Sequence, residues 1–324
     1  MQCTQSFLTI NELPQAIHLL QQGKLVAFPT ETVYGLGADA NNPLAVQAVF
    51  TAKARPSTHP LIIHIPNVAA ISNWAVEISD TVMELCEHFW PGPLTVILKK
   101  AKHVLPLVAA GQDTVALRVP NHPITLALLK DFAGGLVGPS ANRFGRISPT
   151  CAIDVATELG DQVHAILDGG RCQIGIESTI VLVQENKIHL LRQGSITATE
   201  IEAQLHKPVE WLEKPNVRAP GMALSHYAPR HPVRLVATSD LLFTIQQLLT
   251  KGLQLSVLSF QAQPTAFDLP WEQMSADPKV YAYNLYASLR NADASTCDYI
   301  IVEQTPTDEN WYAIQDRLQR AAAL

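Results

Sequence analysis

The stretch NPLAVQAVFTAKARPSTHPLIIHI, residues 42 to 65, carries the fold class in miniature. Asn42 followed by Pro43 is a helix start: a side-chain cap and a ring that pre-sets φ in the first turn. The amphipathic LAVQAVFTAKAR then reads as helix, and LIIHI (61 to 65) is a short apolar, β-branched run that reads as a strand. Working outward, runs of the same kind recur at LVAF (25 to 28), LTVIL (94 to 98), VALRV (115 to 119), HAILD (164 to 168) and STIVLV (178 to 183). Residues 1–206 therefore read as one mixed α/β domain. Residues 207–232 hold five prolines with neither helical nor strand periodicity and read as a linker. From 233 to 324, VRLVAT, LQLSVLSF and DYIIVEQ alternate with amphipathic stretches at 239 to 251, 278 to 291 and 307 to 323, the pattern of a small parallel α/β domain.

A chain of 324 residues with 47% hydrophobic and 16% charged content has apolar material for such cores. No run approaches the roughly 20 apolar residues of a membrane span, and the MQCTQSFLTINELPQ start lacks a signal-peptide pattern. A soluble, cytoplasmic protein is expected. The five cysteines are odd in number and scattered, without the close pairs of zinc or redox motifs, so reduced structural thiols and no structural metal are expected. A net charge of -6 argues against tight nucleic-acid binding and allows at most weak contact with tRNA.

Two nucleotide-binding devices fail on inspection. GLGADA (35 to 40) fits G-x-G-x-x-A loosely, but no acidic residue follows about twenty positions on, and its glycines are expected to shape a turn. Gly23-Lys24 is followed by Leu25, so there is no Walker loop. Lys53, Arg55 and His59 fall instead at a helix end and in the loop before a strand: either an anion site, with a planar fork and a mobile point charge, or a solvated helix terminus. VGPSANRFGRISPT (137 to 150) offers Ser140, Asn142 and Ser148 among glycines, a phosphate or ribose loop or a plain turn. Thr30 and Thr32 of FPTETVYGLG leave the same choice open. His64 should share a sheet face with Ile62. Arg118, inside VALRV, needs an anion if buried, met either by a substrate carboxylate or by an internal Asp or Glu.

In their order, FPTETVYGLGADA, KARPSTHPLIIHI, WPGPLTVIL, VALRVPNHP, GPSANRFGRISPT and IESTIV resemble the YrdC-like threonylcarbamoyl-AMP synthase family over about residues 12 to 205. HYAP and the following α/β domain resemble its long, two-domain members. The resemblance implies an open, twisted mixed sheet with a concave active-site face, followed by a small Rossmann-like domain. It carries over the K-x-R and S-x-N signature as Lys53, Arg55, Ser140 and Asn142, which it implies are catalytic. An ATP site follows at Arg55, His59, Thr114, Ser140, Ser148, Arg192 and Tyr227, and an L-threonine site at Thr32, His64, Arg118, Gly138 and Ser178. It further implies ATP with Mg²⁺, bicarbonate as co-substrate, and threonylcarbamoyl-transferase machinery acting on tRNA as the partner that receives the product. A non-catalytic RNA-binding or ribosome-associated module of the same fold is the alternative in another class. The linker, with His226 and Tyr227, would either fold over the nucleotide as a lid or pack on the second domain.

Overall fold

The computed structural model describes residues 6–212, 217–221 and 226–323. Contacts divide them into two compact units, one within 1–144, 149–173 and 177–222, the other within 145–148, 174–176 and 223–324.

The strands of the first unit are β1 (Ser6–Leu8), β2 (Val26–Phe28), β3 (Gly35–Asp39), β4 (Ile62–His64), β5 (Ala75–Val76), β6 (Leu94–Lys100), β7 (Thr114–Arg118), β8 (Leu136–Val137), β9 (Ala165–Leu167), β10 (Thr179–Gln184), β11 (Lys187–Arg192) and β12 (Val209–Trp211). They form one mixed sheet in the order β1-β9-β2-β3-β8-β4-β7-β6-β10-β11-β12, with β5 beside β6. Its helices are α1 (Leu13–Gln21), α2 (Pro43–Lys53), α3 (Asp80–Phe89), α4 (Pro123–Phe132), α5 (Ala152–Leu159) and α6 (Ala198–Leu205). In α2 the Asn42 side chain accepts from the amides of Leu44 and Ala45. The helix ends where Ala54 turns left-handed (φ 50°) and the Arg55 amide reaches back to the Phe50 carbonyl.

Strand alternation places the chemistry. On one face Ile63, Ile65, Val96, Leu98, Val115, Leu117 and Val181 pack into the main core with helical residues such as Val46, Val49 and Leu85. The other face carries a smaller apolar floor of Ile62, Ile97, Ala116, Ile180, Leu182 and Leu191. By the two-residue period, His64, Thr95, Thr114, Arg118 and Ser178 share that second face.

Two expectations change. GLGADA is not a turn, since Gly35–Asp39 is strand β3, antiparallel to β2. A Cβ at Gly35 would lie 2.8 Å from the Phe28 ring and one at Gly37 2.7 Å from the Val26 carbonyl. The glycines are there because Phe28 lies across them. The proline-rich stretch also opens with a strand, β12, which extends the sheet beyond β11.

The second unit contains β13 (Val233–Val236), α7 (Leu241–Thr250), β14 (Leu255–Ser259), β15 (Trp271–Gln273), α8 (Pro278–Ala294), β16 (Tyr299–Glu303) and α9 (Tyr312–Ala322). Its sheet is all parallel in the order β13-β16-β14-β15, the small α/β domain expected. At the strand ends the buried Glu303 carboxylate accepts from Thr238 Oγ1 (2.7 Å), Ser259 Oγ (2.6 Å) and the Phe260 amide (2.9 Å), which braces three strand ends together.

Candidate active site

The site is built at two ends on the open face of the large sheet. At one end Arg118, on β7, is 3% exposed. Its Nη2 lies 2.8 Å from Glu31 Oε1, Nη1 donates to Thr32 Oγ1 (3.0 Å) and Nε to the Gly92 carbonyl (3.1 Å). Of the two partners the sequence left open, the internal carboxylate is present. Glu31 Oε2 also accepts from the Asn121 amide, which fixes the carboxylate in place. Thr30 closes the turn before it, donating to the Val33 carbonyl and accepting from the Thr32 and Val33 amides, with Thr32 Oγ1 2.8 Å away.

His64 pairs in register with Arg118 across β4 and β7. Burial first, and the Arg118 charge second, push its imidazole down to about 3, against a weaker pull from the Leu136 backbone. It is therefore neutral, edge-on to Phe28 with ring centroids 5.4 Å apart. Its Nδ1 has no hydrogen-bond partner among the described residues. A Cβ at position 138 would come within 2.6 Å of that nitrogen and 2.7 Å of Phe28, so Gly138 keeps open the space in front of the ring. Ser178 completes this end, with Oγ 2.8 Å from Thr95 Oγ1. Arg192, on β11, donates to Ser178 through both the carbonyl (Nε, 3.0 Å; Nη2, 2.9 Å) and Oγ (Nη2, 3.0 Å). Its Nη1 donates to the Pro220 carbonyl.

At the other end lies the signature. Lys53, the last residue of α2, is fully buried and donates its Nζ to the carbonyls of Ser140 and Asn142. Its own carbonyl accepts from the Phe144 amide. Burial, then the neighbouring Arg55 charge, drives its pKa well below the usual lysine value, with Glu158 opposing. The lysine thus holds the S-x-N loop by its backbone. Arg55 is 8% exposed, donates to the Pro60 carbonyl (2.9 Å) and sits 5.6 Å from the Phe144 ring centroid. His59 packs tilted against the same ring at 5.0 Å, and burial, Arg55 and Arg218 together lower its pKa. Phe144 thereby gathers the Arg55 guanidinium and the His59 imidazole. Thr114, at the start of β7, lines a cleft of about 560 Å³ with Asp113, Lys99, Leu182 and Val217.

Ser148 and Tyr227 fall in the second unit. Ser148 is buried, next to Arg146 and Ile147, whose contacts are to Asp293 (3.6 Å) and, through the Ile147 carbonyl, to Arg290. Tyr227, with φ 61°, is 1% exposed, stacked 5.9 Å from Tyr286 and 5.4 Å from the Arg317 guanidinium. This ring packs with second-unit partners.

Two residues escaped the sequence reading. Glu31 was legible, being the one acid in an otherwise uncharged segment ahead of a buried strand arginine. Thr95 carried no signal, because threonine is ordinary in a strand. Among the described residues no group of three or more His, Cys, Asp or Glu side chains is placed to hold a metal, and no helix is long and apolar enough to cross a membrane.

Comparison with known proteins bears on this arrangement. A Sua5/YciO/YrdC family model described as telomere recombination matches residues 18–194, and one described as the threonylcarbamoyl-AMP synthase C-terminal domain matches 196–323. Threonylcarbamoyl-AMP synthase of Bacillus subtilis is 37% identical, covering 96% of this chain and 93% of its own, and that of Pyrococcus abyssi is 36% identical over 95% and 93%. The crystal structure of P. abyssi Sua5 complexed with L-threonine superposes with a TM-score of 0.90 at 34% identity, covering 98% of this chain and 97% of that one. With both halves matched in order, the chain belongs to the two-domain Sua5 family of threonylcarbamoyl-AMP synthases, enzymes of the nucleotidyltransferase type.

Proposed function

We propose that this enzyme joins L-threonine, bicarbonate and ATP into threonylcarbamoyl-AMP, releasing pyrophosphate and water, and that the product feeds threonylcarbamoyladenosine modification of tRNA in the cytoplasm. One observation carries the reading. A buried, internally neutralised Arg118–Glu31 pair and an open imidazole nitrogen share one unit with an Arg55 guanidinium that is gathered with His59 on the Phe144 ring. A zwitterionic amino acid suits the first and a polyphosphate the second. That a similar protein was crystallised with L-threonine agrees with the assignment.

L-Threonine is held by Thr32, His64, Arg118, Ser178 and the backbone at Gly138. ATP is held by Arg55, His59, Thr114, Ser140 and Arg192, with Lys53 and Asn142 shaping the loop that carries Ser140. The threonine amine adds to bicarbonate with loss of water. A carbamate oxygen then attacks the α-phosphorus, and the bond to the bridging oxygen breaks with release of pyrophosphate. No covalent enzyme intermediate is required, so the chain's task is to collect three small molecules, offset repulsion among their anions and exclude water. Magnesium brought in on the nucleotide would spread the phosphate charge.

The test is ATP–pyrophosphate exchange together with mass spectrometry of the products. Exchange must require both threonine and bicarbonate, and the threonylcarbamoyl adenylate must appear. Exchange without threonine, or with another amino acid in preference, rejects the reading.

A further inference from the structure

Within the first unit, linker residues 217–221 lie on the apolar floor of the site. Ala219 is 2% exposed and packs with Ile62, Ile97, Ala116, Ile180, Leu182 and Leu191, with Val217 and Leu212 against the same cluster. Two polar anchors fix the segment. Arg192 holds the Pro220 carbonyl at 3.0 Å. Gln112, in the turn leading into β7, engages one linker residue by both its backbone groups: Oε1 accepts from the Arg218 amide (2.7 Å) and Nε2 donates to the Arg218 carbonyl (3.2 Å). The Arg218 guanidinium returns to the same turn, donating to the Ala110 carbonyl (2.8 Å). A carboxamide meets this demand because it offers a donor and an acceptor side by side, as a neighbouring strand would. Glutamate keeps only the acceptor and alanine neither.

We propose that Gln112 is a positioning residue that clasps the linker at Arg218 and so adds a linker cation to the nucleotide end of the site. The second half rests on the proposed ATP assignment; the clasp itself does not. The turn that holds the Arg218 guanidinium on the Ala110 carbonyl also accepts, at the Val108 carbonyl, from the Leu61 amide (2.9 Å), two residues past His59; after burial and Arg55, the Arg218 charge adds to the depression of the His59 imidazole. Gln112 also lies two residues before Thr114, so docking of the linker and placement of Thr114 are linked through one short turn. An arriving triphosphate would meet Arg55, His59 and Arg218 together, and only when the clasp is closed.

The experiment uses the full-length chain and three variants, Gln112→Ala, Gln112→Glu and Arg218→Ala. Trypsin cleavage after Arg218 is followed by mass spectrometry in the wild type and the two Gln112 variants, with thermal melting recorded alongside to confirm folding. Loss of two ordinary hydrogen bonds predicts cleavage about tenfold faster in Gln112→Ala. Gln112→Glu should fall between, and serves if the alanine variant folds poorly. In steady state, KM for MgATP should rise by about the same factor in Gln112→Ala and in Arg218→Ala, with KM for threonine unchanged. Unchanged cleavage in a folded Gln112→Ala overturns the clasp. Faster cleavage with unchanged KM for MgATP overturns the link to the nucleotide. If wild-type protein consumes no ATP with threonine and bicarbonate, the functional reading fails, and the cleavage rates still decide the clasp.

Discussion

The two ends of the site handle buried positive charge in opposite ways. Arg118 is met at 2.8 Å by the Glu31 carboxylate, so that end is electrically closed before any ligand arrives. Lys53 is met by two carbonyl dipoles, which satisfy a neutral amine as well as an ammonium, and Arg55 beside it donates to a third carbonyl. On the proposed assignment the contrast matches ligand charge: a zwitterion gains from fixed, balanced dipoles, whereas a polyphosphate gains from an added cation and from backbone dipoles. The carboxylate end should accordingly be the more fragile when one partner is removed, and the carbonyl end the more tolerant in fold but not in nucleotide binding.

The largest effect is expected at the closed end. Glu31→Ala strands a buried guanidinium and should lower unfolding free energy by about 3–5 kcal/mol, while replacing both Glu31 and Arg118 with methionine should recover much of it. Chemical denaturation of the three proteins checks this. A single substitution costing less than about 1 kcal/mol would show that the pair does not carry the charge balance argued here.

Much of this was legible in the sequence, for a physical reason. Six of the twelve strands described in the large sheet were read, because short apolar, β-branched runs mark them, and the two-residue period placed His64 with Ile62; β1, β3, β5, β8, β11 and β12 left no such run. The helix before the signature was read from Asn42 and Pro43, whose cap is local. What was not legible depends on distant partners. Lys53 meets carbonyls 87 and 89 positions away, so its backbone-holding task was invisible. GLGADA was misread because the reason for its glycines is the Phe28 ring on the adjoining strand. Arg118 was correctly seen to need an anion, but spacing could not choose between substrate and Glu31.

At the open end, Arg55→Ala should weaken MgATP binding by about 1.5–3 kcal/mol, the loss of a charge-assisted contact. The fold should survive, because the substitution removes contacts to the Pro60 carbonyl and the Phe144 ring rather than an apolar core side chain. Calorimetric titration with MgATP and a melting curve separate the two effects; a large drop in melting temperature with unchanged affinity would reverse the contrast between the ends.

Selectivity sharpens the same contrast. If the closed end is a fitted pocket, serine should be used less efficiently than threonine by about 1–3 kcal/mol in kcat/KM, the worth of one methyl group in such a site. Equal efficiencies would mean that the Thr32–His64–Ser178 side chains do not enclose the γ-methyl.

The smallest effect, taken per pH unit, is a pH dependence, and its sign follows from burial. The His64 imidazole is pushed down from 6.5 to about 3 in the folded chain. A depressed folded pKa means that the stability associated with the neutral ring is fully present above pH 6.5 and is lost as pH falls through the window from 6.5 toward 3. One proton limits the slope to about 1.4 kcal/mol per pH unit. Carboxylates also titrate in this range, so the informative quantity is the difference between wild type and His64→Gln, which removes the titration and leaves the other groups in common. Urea unfolding at two acidic values and one neutral value should show that difference flat above neutrality. Below it, the wild type should lose about 1 kcal/mol per unit relative to the variant. Protonation there would also place a second positive charge beside Arg118, and the single Glu31 carboxylate would no longer balance the closed end. A pH-independent difference would mean that the ring takes up its proton without penalty, and the claim that this end is buried and charge-balanced would fail with it.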